Sequence, residues 1–270
     1  MMCELFNVSR SGYYVWRNRP VSARAQRHEE LVGQIHQAHA GSGGLYGSPR
    51  VHQELLAGGI KVCQKTVAKV MKAQGIRSKI HKKFKPRTTD SSHGLPVAEN
   101  LLNRQFQQAL PNRAWCSDLT YIFTDEGVLY LAAVMDLCSR KIVGWSMAEH
   151  MRSELCEDAL KAALAGRRGG AGLLCHSDRG VQYASEAYQR LLAANQCIGS
   201  MSAKGDCYDN AAMESFWGTL KTEEVYQKRY ATRDEARMAI FVYIEVFYNR
   251  KRLHSSLGYK SPEAFEAGLN

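Results

Sequence analysis

The sequence predicts an α/β protein: a mixed β-sheet flanked by helices, preceded by a small all-α helix-turn-helix domain. Amphipathic helical segments lie between residues 28 and 74, whereas β-rich segments and then alternating helices and strands follow residue 110. The excess of basic over acidic residues is also confined to the first part. With 270 residues, 45% hydrophobic and 23% charged, the composition excludes general disorder and fits one large or two smaller domains.

The charge is divided unevenly along the chain. Residues 1–90 hold 16 Lys and Arg against 5 Asp and Glu, a net of +11, whereas residues 91–270 hold 20 against 21, a net of −1. This asymmetry predicts that the first part faces a polyanion such as double-stranded DNA, because lysines placed on phosphates release condensed counterions. No apolar run approaches the ~20 residues that span a bilayer, and we expect a cytoplasmic protein without a membrane partner.

Three helices are predicted in the basic part, at 28–40, 48–57 and 64–74. Ser48-Pro49 is typical of a helix start, and Gly58-Gly59 and Gly75 are typical stops. In the third helix Val67, Val70 and Met71 share the inward face. The opposite face carries the lysines that we expect to contact DNA, Lys65, Lys69 and Lys72. The alternative is a small helical bundle whose lysines are merely solvated.

A dense basic run follows, with six Lys or Arg among the eleven residues 77–87. Its expected DNA contacts are Lys82, Lys83 and Lys85. A charge run alone is more often a solvated face, so this expectation depends on the neighbouring helices. The predicted organisation is an N-terminal extension (1–27), a helix-turn-helix DNA-binding domain (28–85), a linker rich in Pro, Ser and Gly (86–108), and an α/β domain (109–270).

The α/β part begins with three strands spaced like a meander, at 115–123, 128–135 and 141–147. Further strands are predicted at 172–176 and 198–201. The intervening and following helices are predicted at 154–165, 185–194 and 210–225. This order favours one layered domain with a mixed sheet covered by helices.

Three carboxylates stand out in this arrangement. Asp118 lies inside an otherwise apolar strand, where an unpaired charge would cost several kcal/mol, so it requires a cation. Asp178 directly follows a buried strand, and Glu214 lies on a helix with Lys221 two turns further along the same face. Carboxylates at such positions can converge on two divalent ions, which prefer oxygen ligands and can drive phosphoryl displacement.

Other polar residues have competing interpretations. Asp136, at the end of a strand, is the best rival to Asp118, but it more simply caps its turn or pairs with a local cation. Lys221 is either a surface lysine or a phosphate contact. Arg179 and Asn210 either touch substrate DNA or brace their turns.

The spacing of the three acidic residues and the sequence segments around them resemble those of a known protein family. Asp118, Asp178 and Glu214 are separated by 59 and 35 residues, with Lys221 one heptad later, similar to the D,D(35)E signature of retroviral-type integrases and related bacterial transposases. The whole chain resembles the OrfB protein of insertion sequences that encode OrfA and OrfB in overlapping frames. The likeness lies in short sequence segments. In the second part of the chain these are residues 115–122, 136–145, 176–180, 204–210, 214–217 and 248–262, and in the first part they are residues 8–14 and Tyr46-Gly47.

The resemblance implies a ribonuclease-H-like catalytic core over 109–270, with catalytic and metal-binding Asp118, Asp178 and Glu214. It further implies two Mg²⁺ or Mn²⁺ ions per site, cleavage and transfer of DNA strands, and action as a homo-oligomer on DNA. The expected partner is OrfA, or an OrfAB fusion, since this chain has no sustained heptad run. Two alternatives remain: a nuclease of the same fold that only hydrolyses DNA, and a non-catalytic DNA-binding regulator.

Overall fold

A computed structural model describes residues 2–79, 97–167, 171–203 and 207–269. Its contacts divide the chain into two compact units, Met1–Ser78 and Lys79–Asn270. Within the described ranges, no helix combines the length and the apolar character that crossing a membrane would require. Lys82, Lys83 and Lys85 lie outside the described residues.

The smaller unit is all-helical. Its helices are α1 (Met2–Leu5), α2 (Arg10–Arg17), α3 (Ala23–Gly41), α4 (Ser48–Ala57) and α5 (Gln64–Ala73). The predicted bounds of α4 and α5 are confirmed to within one residue. Helix α3 begins five residues earlier than predicted, because the Ser22 hydroxyl accepts the Ala25 N–H at 3.2 Å and caps a first turn that buries no side chain.

The last three helices enclose a small hydrophobic core, formed by Ile35, Tyr46, Val51, Leu55, Val67, Val70 and Met71. Val67, Val70 and Met71 are buried and Lys65, Lys69 and Lys72 are exposed, which confirms the two predicted faces of α5. In contrast, α2 buries none of its residues although it carries aromatic side chains. The sequence analysis predicted no helix in residues 1–27, although Ser9 caps α2 and its hydroxyl accepts the Gly12 N–H at 3.0 Å.

The larger unit contains a five-stranded sheet in the order β3-β2-β1-β4-β5. The strands are β1 (Ala114–Thr124), β2 (Gly127–Asp136), β3 (Ile142–Ala148), β4 (Leu174–Ser177) and β5 (Ile198–Met201). β1, β2 and β3 form an antiparallel meander, whereas β4 runs parallel to β1 and β5 parallel to β4. The predicted α/β mixed sheet is therefore confirmed.

Helices cover both faces of this sheet. They are α6 (Ser153–Gly166), α7 (Val181–Ala184), α8 (Glu186–Ala194), α9 (Ala211–Glu223), α10 (Arg233–Phe241) and α11 (Pro262–Ala267), with a π-helical turn at Val242–Tyr248. Strand side chains alternate between faces, so Cys116 and Ile122 of β1 pack with α9 and α10, while Trp115 packs with α6 and α8. Asp118 follows Cys116 by two residues, so its side chain lies on the same face of the sheet and faces α9.

Two local features fix the edge of the sheet. Gly144 of β3 lies so close to α6 that a Cβ atom there would stand 2.4 Å from the Ala159 carbonyl oxygen, which makes glycine necessary. The side-chain amide of Asn249 accepts the Ile142 N–H and donates to the Ile142 carbonyl, both at 3.0 Å. Asn249 thus satisfies backbone groups at the start of an edge strand.

The described part of the expected linker, residues 97–108, packs on the larger unit. Leu102 is buried, and the backbone N–H groups of Leu101 and Leu102 donate to the Ser200 hydroxyl at 2.9 and 3.3 Å. This stretch has the irregular backbone that its composition predicts, but a buried leucine and backbone hydrogen bonds hold it against the sheet. The larger unit therefore begins before residue 109, the boundary expected from composition.

Candidate active site

Asp118 lies in the middle of β1, half-buried beneath α9. Its Oδ1 atom accepts the Leu119 N–H at 2.8 Å, and its Oδ2 atom accepts the indole Nε1–H of Trp217 at 2.9 Å. β1 pairs with β2 on one side and with β4 on the other, so this aspartate is attached to the centre of the sheet. Its position is thereby set by backbone hydrogen bonds of neighbouring strands.

Asp178 directly follows β4. In the parallel pairing of β1 with β4, Ser117 is the partner of Ser177, so Asp118 and Asp178 are the next residues on two neighbouring strands. Paired strands lie about 4.8 Å apart. The Oδ1 atom of Asp178 accepts the Gly180 N–H at 3.0 Å, which holds the carboxylate in the turn after the strand.

Glu214 lies in the first turns of α9 and its side chain is exposed. Trp217, the donor to Asp118, follows one turn later on the same helix. Lys221 follows two turns later, with its Nζ atom 4.8 Å from the centre of the Tyr121 ring on β1. One helix therefore carries both Glu214 and a hydrogen-bond donor to Asp118.

The electrostatics of Asp118 show that the carboxylates influence each other. Burial raises its pKa to about 8, and the negative charge of Asp178 and, more weakly, that of Glu214 act in the same direction. The hydrogen bonds from Leu119 and Trp217 oppose this shift without cancelling it. Half-buried acids that repel one another in this way have the donor chemistry that a divalent cation prefers.

The three acids do not form a closed ligand set. Among the described residues, no group of three or more His, Cys, Asp or Glu side chains is arranged to hold a metal ion. The strand register places Asp118 and Asp178 side by side, whereas Glu214 occupies an exposed position on α9. A change of rotamer at an exposed glutamate costs little, so the residue types and positions fit a cation although the present side-chain arrangement does not enclose one.

Lys221 places a cation within electrostatic reach of Asp118. Burial lowers the pKa of its ammonium group, while the negative charge of Asp118 raises it. Its contact with the Tyr121 ring is a cation–π interaction that holds the side chain along β1. This position fits the phosphate contact considered from the sequence.

Arg179 and Asn210 brace the loops around the acids. The Nε–H of Arg179 donates to the Ser202 carbonyl at 2.6 Å. Asn210 is buried, and its Oδ1 atom accepts the Cys116 thiol hydrogen at 2.8 Å. Of the two roles that the sequence left open for each residue, these contacts favour bracing.

Asp136 serves as an anchor for the turn after β2. It is fully buried and accepts hydrogen bonds from the backbone N–H groups of Asn112, Cys138 and Ser139 and from the Trp115 indole. Burial raises the pKa of this carboxyl group, and the backbone donors oppose that shift. The prediction that it caps its turn is confirmed.

Two side-chain contacts of α9 escaped the sequence reasoning. Trp217 is buried as a core aromatic residue would be, yet its indole also donates a hydrogen bond to Asp118. The only indication of this contact in the sequence was the position of Trp217 one helical turn after Glu214. Arg252 forms a buried, two-pronged ion pair with Glu223 at the end of α9, at 2.7 and 2.8 Å, which a spacing of 29 residues does not reveal.

Comparison with known proteins identifies both units. Models of the integrase core domain match residues 108–207 and 195–262, and a model of an HTH-like domain matches residues 26–84. The chain is 45% identical to transposase InsF for insertion sequence IS3A of Escherichia coli (strain K12), over 98% of this chain and 92% of that protein. This chain belongs to the IS3 family of insertion-sequence transposases. The family resemblance predicted from the sequence is confirmed.

Two further matches are a second insertion-element protein and a solved structure. The insertion element IS600 uncharacterized 31 kDa protein of Shigella sonnei is 48% identical over 98% of this chain and 97% of its own length. In a cryoEM structure of the simian T-cell lymphotropic virus intasome with PP2A regulatory subunit B56 gamma, one chain covers 86% of the transposase chain and 74% of itself. That match has a TM-score of 0.50 at 14% identity, and it supports the integrase-like fold alone.

Proposed function

We propose that this chain is a metal-dependent DNA transposase that cleaves strands at the ends of an insertion element and joins them to new DNA. The observation that carries the proposal is the pair of aspartates at adjacent positions on neighbouring parallel strands, with Glu214 raising the pKa of Asp118 from the facing helix. Family membership supplies the reaction class. The catalytic residues of the proposal are Asp118, Asp178 and Glu214.

In this proposal the three carboxylates hold two Mg²⁺ or Mn²⁺ ions. Such a pair, when bound, activates an attacking oxygen and stabilises the leaving 3′-oxygen of an in-line displacement. Trp217 keeps the Asp118 carboxylate oriented, and Lys221 contacts a phosphate beside it. With water as the nucleophile the strand is cleaved, and with a 3′-hydroxyl it is joined, so no covalent protein intermediate is needed.

DNA binding is assigned chiefly to the basic first part of the chain. The exposed lysines of α5, Lys65, Lys69 and Lys72, form a cationic helix face, and Lys82, Lys83 and Lys85 follow in the sequence. We further propose that the protein works as a homo-oligomer on DNA with an OrfA or OrfAB partner. The absence of a sustained heptad run in this sequence supports the need for a partner that pairs two ends.

The decisive experiment removes one carboxylate at a time. Asp118→Asn, Asp178→Asn and Glu214→Gln should each lower strand cleavage and joining by about 1,000-fold, since several kcal/mol of transition-state stabilisation depend on the ions. DNA affinity should stay within about twofold of the unmodified chain, because phosphate contacts provide most of it. Labelled element ends in Mg²⁺, scored for joined products, give the measurement.

Glu186→Gln is the matched control, since it removes an exposed glutamate of α8 that pairs only weakly with Arg190 at 3.8 Å. Its joining activity should be unchanged. Joining by Glu214→Gln in Mg²⁺, or full activity of the unmodified chain after thorough chelation, would overturn the proposal. Cleavage without any joined product would instead assign the chain to hydrolytic nucleases of the same fold.

A further inference from the structure

Glu214 differs from the two aspartates of the proposed site in what fixes its position. The register of β1 and β4 fixes Asp118 and Asp178, whereas Glu214 lies in the first turns of α9. Its distance from the aspartates therefore depends on what holds the start of this helix. A misplacement of about 1 Å can lower an enzymatic rate about 100-fold, so the anchor of this helix end matters for the proposed reaction.

The start of α9 is held by a buried aspartate. The helix follows a short 3-10 helical turn, Cys207–Asn210, in which Asp209 is buried. An aspartate in such a place commonly caps the following helix. Here its carboxylate accepts three hydrogen bonds from earlier parts of the chain. Its Oδ2 atom accepts the Ala203 N–H at 2.8 Å and the Asn100 side-chain amide at 2.9 Å, and its Oδ1 atom accepts the Arg104 Nε–H at 3.0 Å.

Two of the three donors to Asp209 come from residues 97–108, which we call the strap. Arg104 forms an ion pair with this carboxylate, and its side chain is 52% exposed whereas that of Asp209 is 4% exposed. Burial acts to raise the pKa of Asp209, but hydrogen bonds from the Ala203 N–H and from Arg104 outweigh it and lower that pKa. The carboxylate is therefore charged near pH 7, and charge-assisted hydrogen bonds join the strap to the start of α9.

The strap is also attached to the sheet. Leu102 is buried in the hydrophobic core that includes Phe216 of α9. The Ser200 hydroxyl of β5 accepts the backbone N–H groups of Leu101 and Leu102. The strap thus connects β5 to the start of α9 through contacts on both of its sides.

Both strands that position the aspartates are connected to this anchor. The Ser200 hydroxyl, which accepts the strap, lies 2.9 Å from Nδ1 of His176 on β4, two residues before Asp178. The residue after Asp209 reaches the neighbouring strand, because Asn210 accepts the thiol hydrogen of Cys116 on β1 at 2.8 Å. Hydrogen bonds therefore extend from the residues just before α9 to both β1 and β4.

We propose that the strap and Asp209 position Glu214 relative to the two aspartates, so that the affinity of the site for divalent ions depends on their contact. This inference rests on the proposed function, since it takes the three carboxylates as the metal ligands. Asn100, Arg104 and Asp209 are positioning residues, because they act on the ions only through α9. The inference also adds residues 97–108 to a catalytic core that was expected to begin at residue 109.

Two simpler roles make different predictions. If the contact between the strap and Asp209 only stabilises the fold, its removal lowers the melting temperature and leaves the metal affinity of the folded protein unchanged. If Arg104 contacts DNA directly, its removal lowers DNA affinity and leaves metal affinity unchanged. Metal affinity is therefore the quantity that separates the positioning role from both alternatives.

The first experiment measures metal binding by the whole chain without DNA. Mn²⁺ is the probe, and electron paramagnetic resonance measures the unbound ion. Asp209→Asn and Arg104→Gln should each weaken Mn²⁺ binding about tenfold, the lower end of the effect of losing a residue that supports metal ligands. Arg190→Gln is the matched control, since it removes an arginine of α8 that is 72% exposed and lies 3.8 Å from Glu186. Its Mn²⁺ affinity should be unchanged.

A second experiment separates positioning from catalysis. Strand joining by Asp209→Asn and Arg104→Gln should need about tenfold more Mg²⁺ for half of the maximal rate, and should approach the rate of the unmodified chain at saturating Mg²⁺. Glu214→Gln should stay inactive at every Mg²⁺ concentration. The double variant of Asp209 and Arg104 should bind Mn²⁺ no more weakly than Asp209→Asn alone, because the two side chains act through one contact.

Thermal unfolding and DNA affinity are measured for every variant. If Asp209→Asn does not fold, Arg104→Gln still decides, because the Arg104 side chain is half-exposed. Unchanged Mn²⁺ affinity in the folded variants, whatever their stability or DNA affinity, overturns the inference, and so does an equal loss in Arg190→Gln. The proposed function stands in either case if Glu214→Gln is inactive in the same assay. Joining by Glu214→Gln in Mg²⁺ overturns the proposed function, and this inference with it.

Discussion

Trp217 joins the helix that carries Glu214 to the aspartate at the centre of the sheet. Its indole N–H donates to the Asp118 carboxyl group at 2.9 Å, and the ring packs against Phe216 with centroids 4.8 Å apart. In the proposed site it is a positioning residue, since it acts on substrate only through the Asp118 carboxylate. A residue that orients a metal-binding carboxylate affects how much metal the enzyme needs.

Replacing this indole tests the positioning role. Trp217→Phe keeps a ring but removes the donor, and we expect a 10- to 100-fold loss in apparent Mg²⁺ affinity or in strand joining. Trp145→Phe is the matched control, because its indole donates to Glu245, at 2.7 Å, rather than to an acid of the proposed site. Mg²⁺ titrations of strand joining give the answer, and an unchanged titration for Trp217→Phe would contradict the role.

His176 is a fully buried histidine between two serines. Its Nδ1 atom lies 2.9 Å from the Ser200 hydroxyl and its Nε2 atom 3.3 Å from the Ser202 hydroxyl. Burial lowers its pKa to about 4, although the charge of Asp209 acts in the opposite direction. The imidazole is therefore neutral in the folded protein near pH 7 and binds a proton more readily when the chain unfolds.

This difference makes stability depend on pH. Because the folded pKa of His176 is about 4 and the ordinary value is 6.5, its contribution is complete above pH 6.5 and is lost as the pH falls towards 4. The free energy of unfolding should drop by about 2 kcal/mol from this group between pH 7 and pH 5. Urea unfolding followed by tryptophan fluorescence measures it, and His176→Gln should show a correspondingly smaller drop.

The helix α9 is held at its far end by Glu223. This glutamate accepts two hydrogen bonds from Arg252 and one from the Tyr243 hydroxyl at 2.8 Å, with side chains of the ion pair only 9% and 5% exposed. The contact joins α9 to the π-helical turn and to the segment after it. Burial of a paired charge is tolerated only while the partner is present.

Removing one partner of this pair should be costly. Glu223→Gln leaves Arg252 with an uncompensated buried charge and should lower the free energy of unfolding by about 3–5 kcal/mol. Asp125→Asn breaks an ion pair with Arg229 whose side chains are 47% and 87% exposed, and it should cost less than about 1 kcal/mol. Urea unfolding of both variants measures the two losses in free energy of unfolding. Similar losses would contradict the stronger contribution expected of the buried ion pair.

Most of the helices and strands could be predicted from local sequence patterns. The remaining features depend on contacts between residues that are distant in the sequence. The strand at 198–201 was predicted with its correct bounds, and the meander and α9 were predicted within two residues, because apolar residue types are concentrated in these segments. Helix α2 has no buried residue, and the π-helical turn departs from that period. The Trp217–Asp118 hydrogen bond spans 99 residues and leaves no local pattern.

The same distinction applies to the proposed site. The sequence predicted Asp118 within a strand, Asp178 after a strand and Glu214 on a helix, and each lies in that context. Their convergence on metal ions stays a prediction. What the sequence could not supply was the strand order, since the 49 residues between β1 and β4 give no sign that these strands are neighbours.

At the scale of the whole molecule, charge and proposed chemistry occupy different parts of the chain. The basic surplus lies in residues 1–90, whereas Asp118, Asp178 and Glu214 lie in the nearly neutral remainder. In our proposal the first part provides non-specific affinity and the second part provides the reaction. The two properties should therefore respond to different substitutions.

The lysines of α5 allow this division to be measured. Combined replacement of Lys65, Lys69 and Lys72 by glutamine should weaken DNA binding and reduce the slope of log affinity against log salt by about 3. The control removes three exposed lysines of the larger unit, Lys161, Lys228 and Lys260. Binding titrations from 50 to 200 mM salt make the comparison, and equal slopes for the two variants would contradict the assignment to α5.

The pairing of Ser117 with Ser177 also has an evolutionary consequence. Backbone bonds between two strands, rather than the length of chain that joins them, fix the spacing of Asp118 and Asp178. Insertions at the loops between β2 and β3 or beside α6 leave that spacing intact. A single residue gained or lost inside Leu174–Ser177 would turn every following side chain to the opposite face. Relatives of this chain are therefore free to diverge in length at the loops, while the four residues before Asp178 must keep their number.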